Sequence, residues 1–237
     1  MKSVKLLSLN LYNNKASKDM NKLLEVLLCF DIIGVQEGTY KIDKLITSNL
    51  KNYKSYGGYR FSNSIKNIKI NENNNIITKN KVLNYDTYYL SVFGTRKKDK
   101  INQIKNFNLF SRIATVAIIK TDIGSICHIN THLSYGPDSL HKKQLEDLLE
   151  LVELYKKYNI VITGDFNIDI DHPEFIEFNK KLELYNIKRV NIKEYTFKNR
   201  HIDHIFVSNN LKVKEFGIIN DLSSITDHNG VYVTLSK

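Results

Sequence analysis

The sequence contains few of the residues that break a chain or anchor it in a membrane. Only 2 prolines and 10 glycines occur in 237 residues, which argues against long flexible linkers. No apolar run approaches the roughly 20 residues of a membrane span, and the N-terminal run is too short for a signal peptide. We therefore expect one domain over residues 1–237, with no transmembrane segment and a cytoplasmic location.

Cysteine is also scarce. Cys29 lies in an apolar stretch with helical spacing, and Cys127 lies in an apolar strand-like stretch. Two isolated cysteines predict buried free thiols instead of a disulfide framework. The sequence has neither paired cysteines nor an H-E-x-x-H motif, so tetrahedral zinc sites of those types are excluded.

Charge of one sign dominates, because 35 Lys and Arg face 25 Asp and Glu, for a formal net charge of +10. A basic protein attracts polyanions such as nucleic acid or anionic lipid headgroups. The segment Arg96–Lys105 is a basic loop that could grip a phosphate backbone. A general bias towards Lys, Asn and Ile would also make a chain basic, so the charge leaves nucleic-acid binding open.

The first fifth of the sequence alternates between strand and helix patterns. Val4–Leu9 predicts a strand, and apolar spacing over residues 17–30 predicts a helix. Ile32–Val35 predicts a short buried strand, and a second helix is expected from Ile42 to Leu50. This order indicates an α/β layer fold.

Later segments continue the mixture. A long helix is predicted with Asp138 or Ser139 as its N-cap, and a shorter helix is predicted after Pro173. Further strands are predicted at Thr87–Phe93, Phe110–Lys120, Ile123–His132, Ile160–Thr163, Ile202–Ser208, Val213–Ile219 and Val231–Leu235. Two strand-rich halves interspersed with helices could form a sandwich of two sheets.

Polar residues stand at the ends of many predicted strands. They are Asn10, Glu37, His132, Asp165, Asn167, Asp203, His204, Asp227 and His228. A single strand-end Asp is usually a turn former or a helix cap, but this set is spread over the whole chain. In layered α/β folds, ligand chemistry gathers at strand ends.

These residue types suit the hydrolysis of a phosphate ester. Mg²⁺ prefers oxygen ligands and keeps several waters, so Glu37, Asp227 and the amide of Asn10 are suitable ligands. A carboxylate such as Asp165 can accept a proton from water, and an amide can donate to a phosphoryl oxygen. A histidine can protonate the leaving group if an acidic neighbour raises its pKa.

Several of these segments resemble the endonuclease/exonuclease/phosphatase superfamily, which has the deoxyribonuclease I-like fold. The matching pieces occur in the family's order and span nearly the entire chain. They are Leu7-Ser8-Leu9-Asn10, Gly34-Val35-Gln36-Glu37, Asn130-Thr131-His132-Leu133, Gly164-Asp165-Phe166-Asn167, Ile202-Asp203-His204-Ile205-Phe206 and Thr226-Asp227-His228. The resemblance implies an α/β fold, or α+β, built as a four-layer α/β/β/α sandwich, and a metal-dependent phosphoesterase.

The resemblance also implies a metal site. Glu37 resembles the principal metal ligand of the family, with Asn10 and Asp227 near the metal. The expected cofactor is Mg²⁺, for which Mn²⁺ could substitute.

The remaining site residues are implied in the same way. Asp165 resembles the aspartate that activates water or binds the transition state, and Asn167 its oxygen-anchoring partner. Asp203 resembles the acid that orients His228, which would contact the scissile phosphate. The family's proposals differ on which group is the general base.

Glu72 lies in the segment Glu72–Ile77, which resembles a strand of the family's deoxyribonuclease branch. In that branch a Glu pairs with the His of the Asn-Thr-His-Leu motif. We therefore expect a Glu72–His132 pair in which the carboxylate fixes the ring tautomer and raises the pKa of His132. The alternative is that Glu72 is a solvated loop acid.

The sequence departs from the family pattern in three places. Asn229-Gly230 follows Asp227-His228 where the family commonly has x-Pro, and Ser134-Tyr135 replaces an Asp-His pair. There is no Trp, which argues against close kinship with abasic-site endonucleases. His204 should point away from Asp203 as a structural histidine, and Arg112 suits either phosphate binding or an ion pair. His141, His172 and His201 are expected outside the site.

Three functions fit this pattern. The first is a nuclease or other phosphodiesterase acting on nucleic acid. The second is a phosphoesterase for phospholipid headgroups or small molecules, and the third is a catalytically idle nucleic-acid-binding module. The shared residues recognise phosphate and metal, whereas specificity depends on loops. A monomer is expected, although the sequence does not fix the oligomeric state.

Overall fold

A computed structural model describes residues 2–61, 71–91 and 112–237 of the chain. The basic segment Arg96–Lys105 lies outside the described residues. The strands are β1 (Ser3–Asn10), β2 (Ile32–Gln36), β3 (Gly38–Thr39), β4 (Lys54–Tyr56), β5 (Tyr59–Phe61), β6 (Asn71–Asn73), β7 (Ile76–Thr78), β8 (Lys81–Tyr89), β9 (Ile113–Thr121), β10 (Gly124–His132), β11 (Asn159–Asp165), β12 (Ile187–Arg189), β13 (Asp203–Ser208), β14 (Lys212–Ile219) and β15 (Gly230–Ser236). A 3-10 helix spans Asn13–Asp19, and the α-helices are α1 (Met20–Leu28), α2 (Tyr40–Asn49), α3 (Asp138–Tyr155) and α4 (Pro173–Glu183).

The long strands form two six-stranded sheets. The first has the order β14-β15-β1-β2-β7-β4, and the second has the order β12-β13-β11-β10-β9-β8. Each sheet contains one parallel pair, β1 with β2 and β10 with β11. The ends of the strands in each parallel pair therefore lie at one edge of their sheet.

The first sheet is buried on both faces, because successive side chains of a strand point in opposite directions. Leu6 and Ile32 pack against the second sheet. Their neighbours Leu7 and Ile33 pack on the other side, against the apolar faces of α1 and α2.

The second sheet follows the same rule. Val161 and Ile205 face the first sheet, whereas Ile162 and Phe206 face the side covered by α3 and α4. The layers are therefore helix, sheet, sheet and helix. The predicted α/β/β/α sandwich is confirmed.

A group of polar side chains bridges the two sheets, and we call it the amide seam (Gln36, Asn130 and Thr163). Nε2 of Gln36 donates to Oδ1 of Asn130 over 2.7 Å, and Nδ2 of Asn130 donates to the carbonyl oxygen of Val35 over 2.8 Å. Thr163 donates to the same Oδ1 over 3.0 Å. A Cβ on Gly34 would lie 2.5 Å from that oxygen, so the close approach requires glycine.

A small third sheet, with the order β3-β6-β5, stands beside the two large ones. Its two faces differ. Arg60 pairs with Glu72 across β5 and β6, and Tyr59 pairs with Asn73. Because side chains alternate along a strand, Arg60 and Glu72 share one face while Tyr59 and Asn73 share the other.

Two predicted boundaries were wrong. The strand predicted at Thr87–Phe93 begins earlier, at Lys81. This first half of β8 is largely exposed at a sheet edge, and its mixture of polar and apolar residues forms no continuous apolar run. Neither Asp138 nor Ser139 caps α3, because Pro137 is the N-cap residue and its carbonyl accepts the first helical hydrogen bonds.

One cysteine prediction was also wrong. Cys127 is buried as expected, but Cys29 is exposed. Cys29 follows the last residue of α1, where the helix ends and its outward side is open to solvent. Within the described ranges, none of the helices combines the length and the apolar character that crossing a membrane requires.

Candidate active site

The parallel strand pairs bring the predicted residues together. Asn10 ends β1, and Glu37 follows the last residue of β2. In the second sheet His132 ends β10 and Asp165 ends β11, and these two residues are partners in the strand register. Both sheets therefore deliver polar side chains to one edge of the sandwich.

An open cleft of about 260 Å³ lies at this edge. Six of the predicted site residues line it, namely Glu37, His132, Asp165, Asn167, Asp227 and His228. Asn10 lies beside it and donates hydrogen bonds to Glu37 and Asp165. Other lining residues were not predicted as catalytic or metal-binding residues, although phosphate binding was one alternative for Arg112. They are Tyr12, Arg112, Tyr135, Phe197, Arg200 and Ile202.

Asp165 is buried at the centre of the cleft floor. Its Oδ2 accepts a hydrogen bond from Nδ2 of Asn10 over 3.0 Å and lies 3.5 Å from Nε2 of His132 and 3.8 Å from Nε2 of His228. Burial raises the pKa of the Asp165 carboxyl, and the neighbouring Asp203 raises it further, against the two histidines. The carboxylate is thus a better proton acceptor than a solvated Asp.

His228 is held by Asp203. Its Nδ1 donates to Oδ2 of Asp203 over 2.9 Å, and the ring of Phe197 stacks on the imidazole with centroids 4.6 Å apart. Burial lowers the pKa of His228, but the Asp203 carboxylate outweighs this effect and raises the pKa to about 9. The imidazole is therefore protonated at neutral pH.

Glu72 and His132 do lie together, with Oε1 of Glu72 3.7 Å from Nδ1 of His132. This distance exceeds a normal hydrogen bond. Burial and the nearby Arg112 lower the pKa of His132 overall, although the carboxylates of Asp165 and Glu72 raise it, the latter as expected. His132 is thus a neutral imidazole in the folded protein.

Glu72 is also not the solvated loop acid considered as the alternative. It is buried and forms a salt bridge with Arg60, and Oε1 lies 3.7 Å from Nη1 of Arg112. Burial alone would raise the pKa of Glu72, but His132 and Arg60 lower it to about 2. Burial and Arg60 lower the pKa of Arg112 to about 10, so the guanidinium keeps its charge.

Glu37 combines half-burial with excess negative charge. Its Oε1 accepts a hydrogen bond from Nδ2 of Asn10 over 3.2 Å, and its Oε2 accepts one from Nδ2 of Asn13 over 2.8 Å. Burial raises the pKa of Glu37, and the carboxylates of Glu72 and Asp165 raise it further. Asp227 lines the same cleft and is exposed. Both residues offer carboxylate oxygens to one cleft, and oxygen is the ligand that a hard divalent cation prefers.

A second group of acidic and histidine side chains lies deeper. Ligand atoms of Asp165, Asp203 and His228 lie within 4.8 Å of one another, a spacing that could hold a metal ion. However, His228 and Asp203 are already hydrogen-bonded through Nδ1 and Oδ2. Glu37 and Asp227 are less buried than these three residues, so their carboxylates are the more accessible oxygen donors.

Three of the cleft residues have left-handed backbone conformations. Their φ angles are 46° at Tyr12, 53° at Glu37 and 54° at Asn167. This conformation is uncommon for residues other than glycine and is often found at functional sites. At Asn167 it places the backbone N–H 2.9 Å from Oδ1 of Asp165, and the side-chain Nδ2 donates to Nε2 of His132 over 3.1 Å.

The other histidines are engaged elsewhere. The ring of His204 packs on Phe175 with centroids 4.3 Å apart and is buried under α4, opposite Asp203. His141 bonds the carbonyl of Ser134, His172 bonds Asp138, and His201 bonds the carbonyl of Glu194. None of the four lines the cleft.

Sequence reasoning missed the aromatic and arginine rim of the cleft. Tyr12, Tyr135, Phe197 and Arg200 lie in loops, where no hydrophobic periodicity marks a residue as facing a site. The one available signal was proximity in sequence, since Tyr12 follows Asn10 and Tyr135 follows His132.

A family model described as the Endonuclease/Exonuclease/phosphatase family matches residues 7–228. No curated protein sequence matches the chain.

Solved structures share the fold at low sequence identity. An endonuclease/exonuclease/phosphatase from Bacteroides vulgatus has a TM-score of 0.80 and 20% identity, covering 100% of this chain and 99% of that chain. A mannosyl-6-phosphatase from Bacteroides thetaiotaomicron has a TM-score of 0.78 and 22% identity, covering 99% and 100%. The human Nocturnin catalytic domain has a TM-score of 0.77 and 16% identity, covering 99% and 93%.

Proposed function

Because this chain belongs to the endonuclease/exonuclease/phosphatase family of phosphoesterases, we propose that it hydrolyses phosphodiesters of nucleic acid with Mg²⁺ as cofactor. The observation that carries the proposal is the convergence of three atoms. The Nε2 atoms of His132 and His228 lie 3.5 Å and 3.8 Å from Oδ2 of Asp165, at the floor of a single cleft.

The proposed metal ligand is Glu37, supported by Asn10 and Asp227. The fit rests on a half-buried carboxylate whose pKa is raised by burial and by two neighbouring acids. A bound Mg²⁺ would supply positive charge to the non-bridging phosphoryl oxygens.

Asp165 is proposed to accept the proton of the attacking water at Oδ2. The water oxygen forms the new bond to phosphorus while the ester bond breaks on the opposite side. Burial raises the pKa of Asp165, which strengthens it as a base. The hydrogen bonds from Asn10 and from the backbone of Asn167 fix both carboxylate oxygens.

His228 is proposed to donate the proton that the leaving oxygen requires. Asp203 holds Nδ1, so that Nε2, on the side of Asp165, carries the transferable proton. Its pKa of about 9 keeps the ring protonated at neutral pH. The proposed base and acid thus lie within one pocket, and the acid carries its proton at neutral pH.

The guanidinium of Arg112 is proposed to contact the phosphoryl group, beside the neutral His132 and the amide of Asn167, which hold each other in place. Nε2 of His132 accepts the hydrogen bond of Asn167, which sets the ring tautomer with the proton on Nδ1, facing Glu72. Arg112 adds a positive charge at the wall of the cleft. Donors fixed in advance can stabilise developing charge on phosphoryl oxygens.

A nucleic-acid substrate is favoured by the net charge of +10, which attracts a phosphate backbone. A small phosphomonoester is the second candidate. It is favoured by the volume of the cleft, about 260 Å³, and by the likeness of the fold to a mannosyl-6-phosphatase. An idle binding module is disfavoured, because all the predicted acids and histidines of the site are present and lie together.

A substrate panel tests the proposal. The purified protein is assayed with Mg²⁺, with Mn²⁺ and with a chelator on plasmid DNA, single-stranded DNA, RNA, sphingomyelin, bis-p-nitrophenyl phosphate and p-nitrophenyl phosphate. We expect turnover of nucleic acid and of the diester, and loss of activity on chelation. Faster turnover of the monoester would favour the second candidate, and activity that is indifferent to chelation would exclude the metal mechanism.

Variants separate the proposed residues from the fold. Asp165→Ala and His228→Ala should each reduce the rate at least about a hundredfold, as expected for general acid–base groups. His172→Ala is the matched control, because that histidine also pairs with an aspartate but lies at the surface. Full activity in either cleft variant would show that the reaction occurs elsewhere.

A further inference from the structure

A second cleft, separate from the proposed catalytic one, is rich in tyrosine. It has a volume of about 520 Å³, and we call it the tyrosine cleft. Its lining residues are Tyr40, Asp43, Lys44, Thr47, Tyr53, Lys54, Ser55, Tyr56, Tyr59 and Tyr85. None of them is among the residues to which the reaction above assigns a role.

The rings of this cleft are arranged in pairs with accessible surface. Tyr40 contacts Tyr59 with ring centroids 6.3 Å apart, and Tyr56 contacts Tyr85 at 5.4 Å. Tyr40 is 61% exposed and Tyr85 is 48% exposed. Aromatic rings that are fixed and open to solvent form a stacking surface for another flat ring.

Asp43 fixes the floor of the cleft. Its Oδ2 accepts hydrogen bonds from Ser55 Oγ at 3.0 Å, from Tyr59 OH at 3.2 Å and from Asn75 Nδ2 at 2.5 Å. Burial raises the pKa of this carboxyl, against those donors. Because the bonds already occupy this oxygen and the Ser55 and Tyr59 hydroxyls, these groups are not free to bind the hydroxyls of a sugar.

Two exposed lysines complete the cleft. Lys44 projects from α2 and Lys54 from β4, and both line it. Flat apolar rings beside positive charges match a nucleobase and its backbone phosphate. The same combination suits a neutral sugar less well.

The tyrosine cleft adjoins the catalytic cleft through the small sheet. On one face of that sheet, Arg60 and Glu72 contact the group that includes His132. On the other face, Tyr59 and Asn73 both donate to Asp43. The two clefts therefore lie on opposite faces of a single thin sheet, and a strand of nucleic acid that occupied both would pass around an edge of that sheet.

We propose that the tyrosine cleft is a second binding site for single-stranded nucleic acid, which stacks a base on Tyr40 and Tyr85 while Lys44 and Lys54 contact the adjoining phosphates. This inference deepens the proposed nuclease function and rests on it. It assigns the site a role in substrate binding and none in bond cleavage.

Fluorescence anisotropy with a labelled single-stranded oligonucleotide of about 12 nucleotides, within the site sizes of such proteins, tests the binding. The protein is titrated in the presence of a chelator, so that the oligonucleotide is not cleaved during the measurement. Tyr40→Ala combined with Tyr85→Ala should weaken binding about fivefold or more, the lower end expected for lost base stacking. Lys44→Ala with Lys54→Ala should weaken binding and make it less dependent on salt.

Phe216→Ala is the matched control. Phe216 is an aromatic residue 46% exposed on β14, at the opposite edge of the first sheet from β4. It should bind the oligonucleotide as the unmodified protein does. Circular dichroism of each variant establishes that the fold is intact, so that lost binding reports on the cleft.

Kinetics distinguish this inference from the proposed function. The tyrosine variants should raise KM for the oligonucleotide and leave hydrolysis of bis-p-nitrophenyl phosphate unchanged. Unchanged oligonucleotide affinity in the double tyrosine variant would overturn the inference, even if the protein is an active nuclease. Competition by free mannose 6-phosphate, with none by adenosine 5′-monophosphate, would also overturn it. Absence of all diester hydrolysis would refute the proposed function, while the anisotropy result would still decide on the cleft.

Discussion

His228 and Asp203 form a buried pair in which Nδ1 of the imidazole lies 2.9 Å from Oδ2 of the carboxylate. The pair has a directional consequence. Because Asp203 occupies one ring nitrogen, the other lies 3.8 Å from Oδ2 of Asp165 and is the nitrogen available to a substrate. The folded protein thereby holds the proton of His228 close to Asp165, the group proposed to accept a proton from water.

Asp203→Asn should shift the pH dependence of the reaction. Without the carboxylate, only the smaller effects of Asp165 and Asp227 oppose burial, so the pKa of His228 should fall below about 9. Since the protonated ring is the proposed acid, kcat should then decline at a lower pH than in the unmodified protein. The measurement is the pH dependence of kcat on bis-p-nitrophenyl phosphate.

Asp138→Asn is the control for that experiment, because Asp138 pairs with His172 at the protein surface over 3.1 Å. It should leave the alkaline limb of the profile where it is. If the alkaline limb of the kcat profile were also unchanged in Asp203→Asn, His228 would not be the general acid.

Asp165→Asn should separate activity from stability. Burial raises the pKa of Asp165 above 3.8, so the ionised carboxylate is disfavoured in the folded state. Stability therefore falls as the pH rises from 3.8 to the pKa of the folded state. The neutral amide removes this cost while keeping an oxygen for the Asn10 hydrogen bond. We expect kcat to fall at least about a hundredfold and the melting temperature at neutral pH to stay or rise, as measured by calorimetry. A large loss of thermal stability would mean that the carboxylate is mainly structural.

Glu37→Gln should abolish the response of the protein to Mg²⁺. In the unmodified protein, a cation bound near Glu37 relieves the repulsion with Glu72 and Asp165, so added Mg²⁺ should raise the melting temperature and a chelator should reverse the change. Differential scanning fluorimetry measures this response without any substrate. Glu215→Gln, a substitution on the distant edge strand β14, should respond as the unmodified protein does. Equal responses in both variants would place the cation elsewhere.

Glu72→Gln should destabilise the protein above pH 4.5. The pKa of Glu72 is lowered from 4.5 to about 2, because His132 and Arg60 outweigh its burial, so its contribution to stability is complete above 4.5 and is lost as pH falls towards 2. Breaking one side of a buried ion pair costs about 3–5 kcal/mol. Urea unfolding at several pH values measures both effects.

The exposed pair between Glu153 and Lys156 provides the comparison for this experiment. Glu153→Gln should change the free energy of unfolding little, since solvent-exposed ion pairs contribute little. If Glu72→Gln also changed the free energy of unfolding little, other groups would have to balance the charges of Arg60 and Arg112.

The fold could be predicted largely because both sheets are buried on two faces. Adjacent apolar residues such as Leu6 with Leu7 and Val161 with Ile162 serve different layers, which produces the short continuous apolar runs that mark strands. β8 escaped detection in its first half because an exposed edge strand needs no such run.

The candidate site could be predicted only in part, for a physical reason. Residues at strand ends, such as Asp165 and His132, are marked by the apolar runs before them. Phe197 and Arg200 stand in a loop, and their approach to His228 and to the cleft depends on tertiary packing. The pKa of His132 also depends on Arg112, whose proximity no local pattern encodes.

The amide seam has a consequence for how the molecule tolerates change. Hydrophobic contacts permit one sheet to slip over the other, whereas directional bonds between Gln36 and Asn130 hold a fixed alignment. Glu37 is the neighbour of Gln36, and His132 lies two residues beyond Asn130. The seam therefore fixes the position of Glu37, on one sheet, relative to His132, on the other. Substitutions that repack the hydrophobic core can accumulate without separating these two residues.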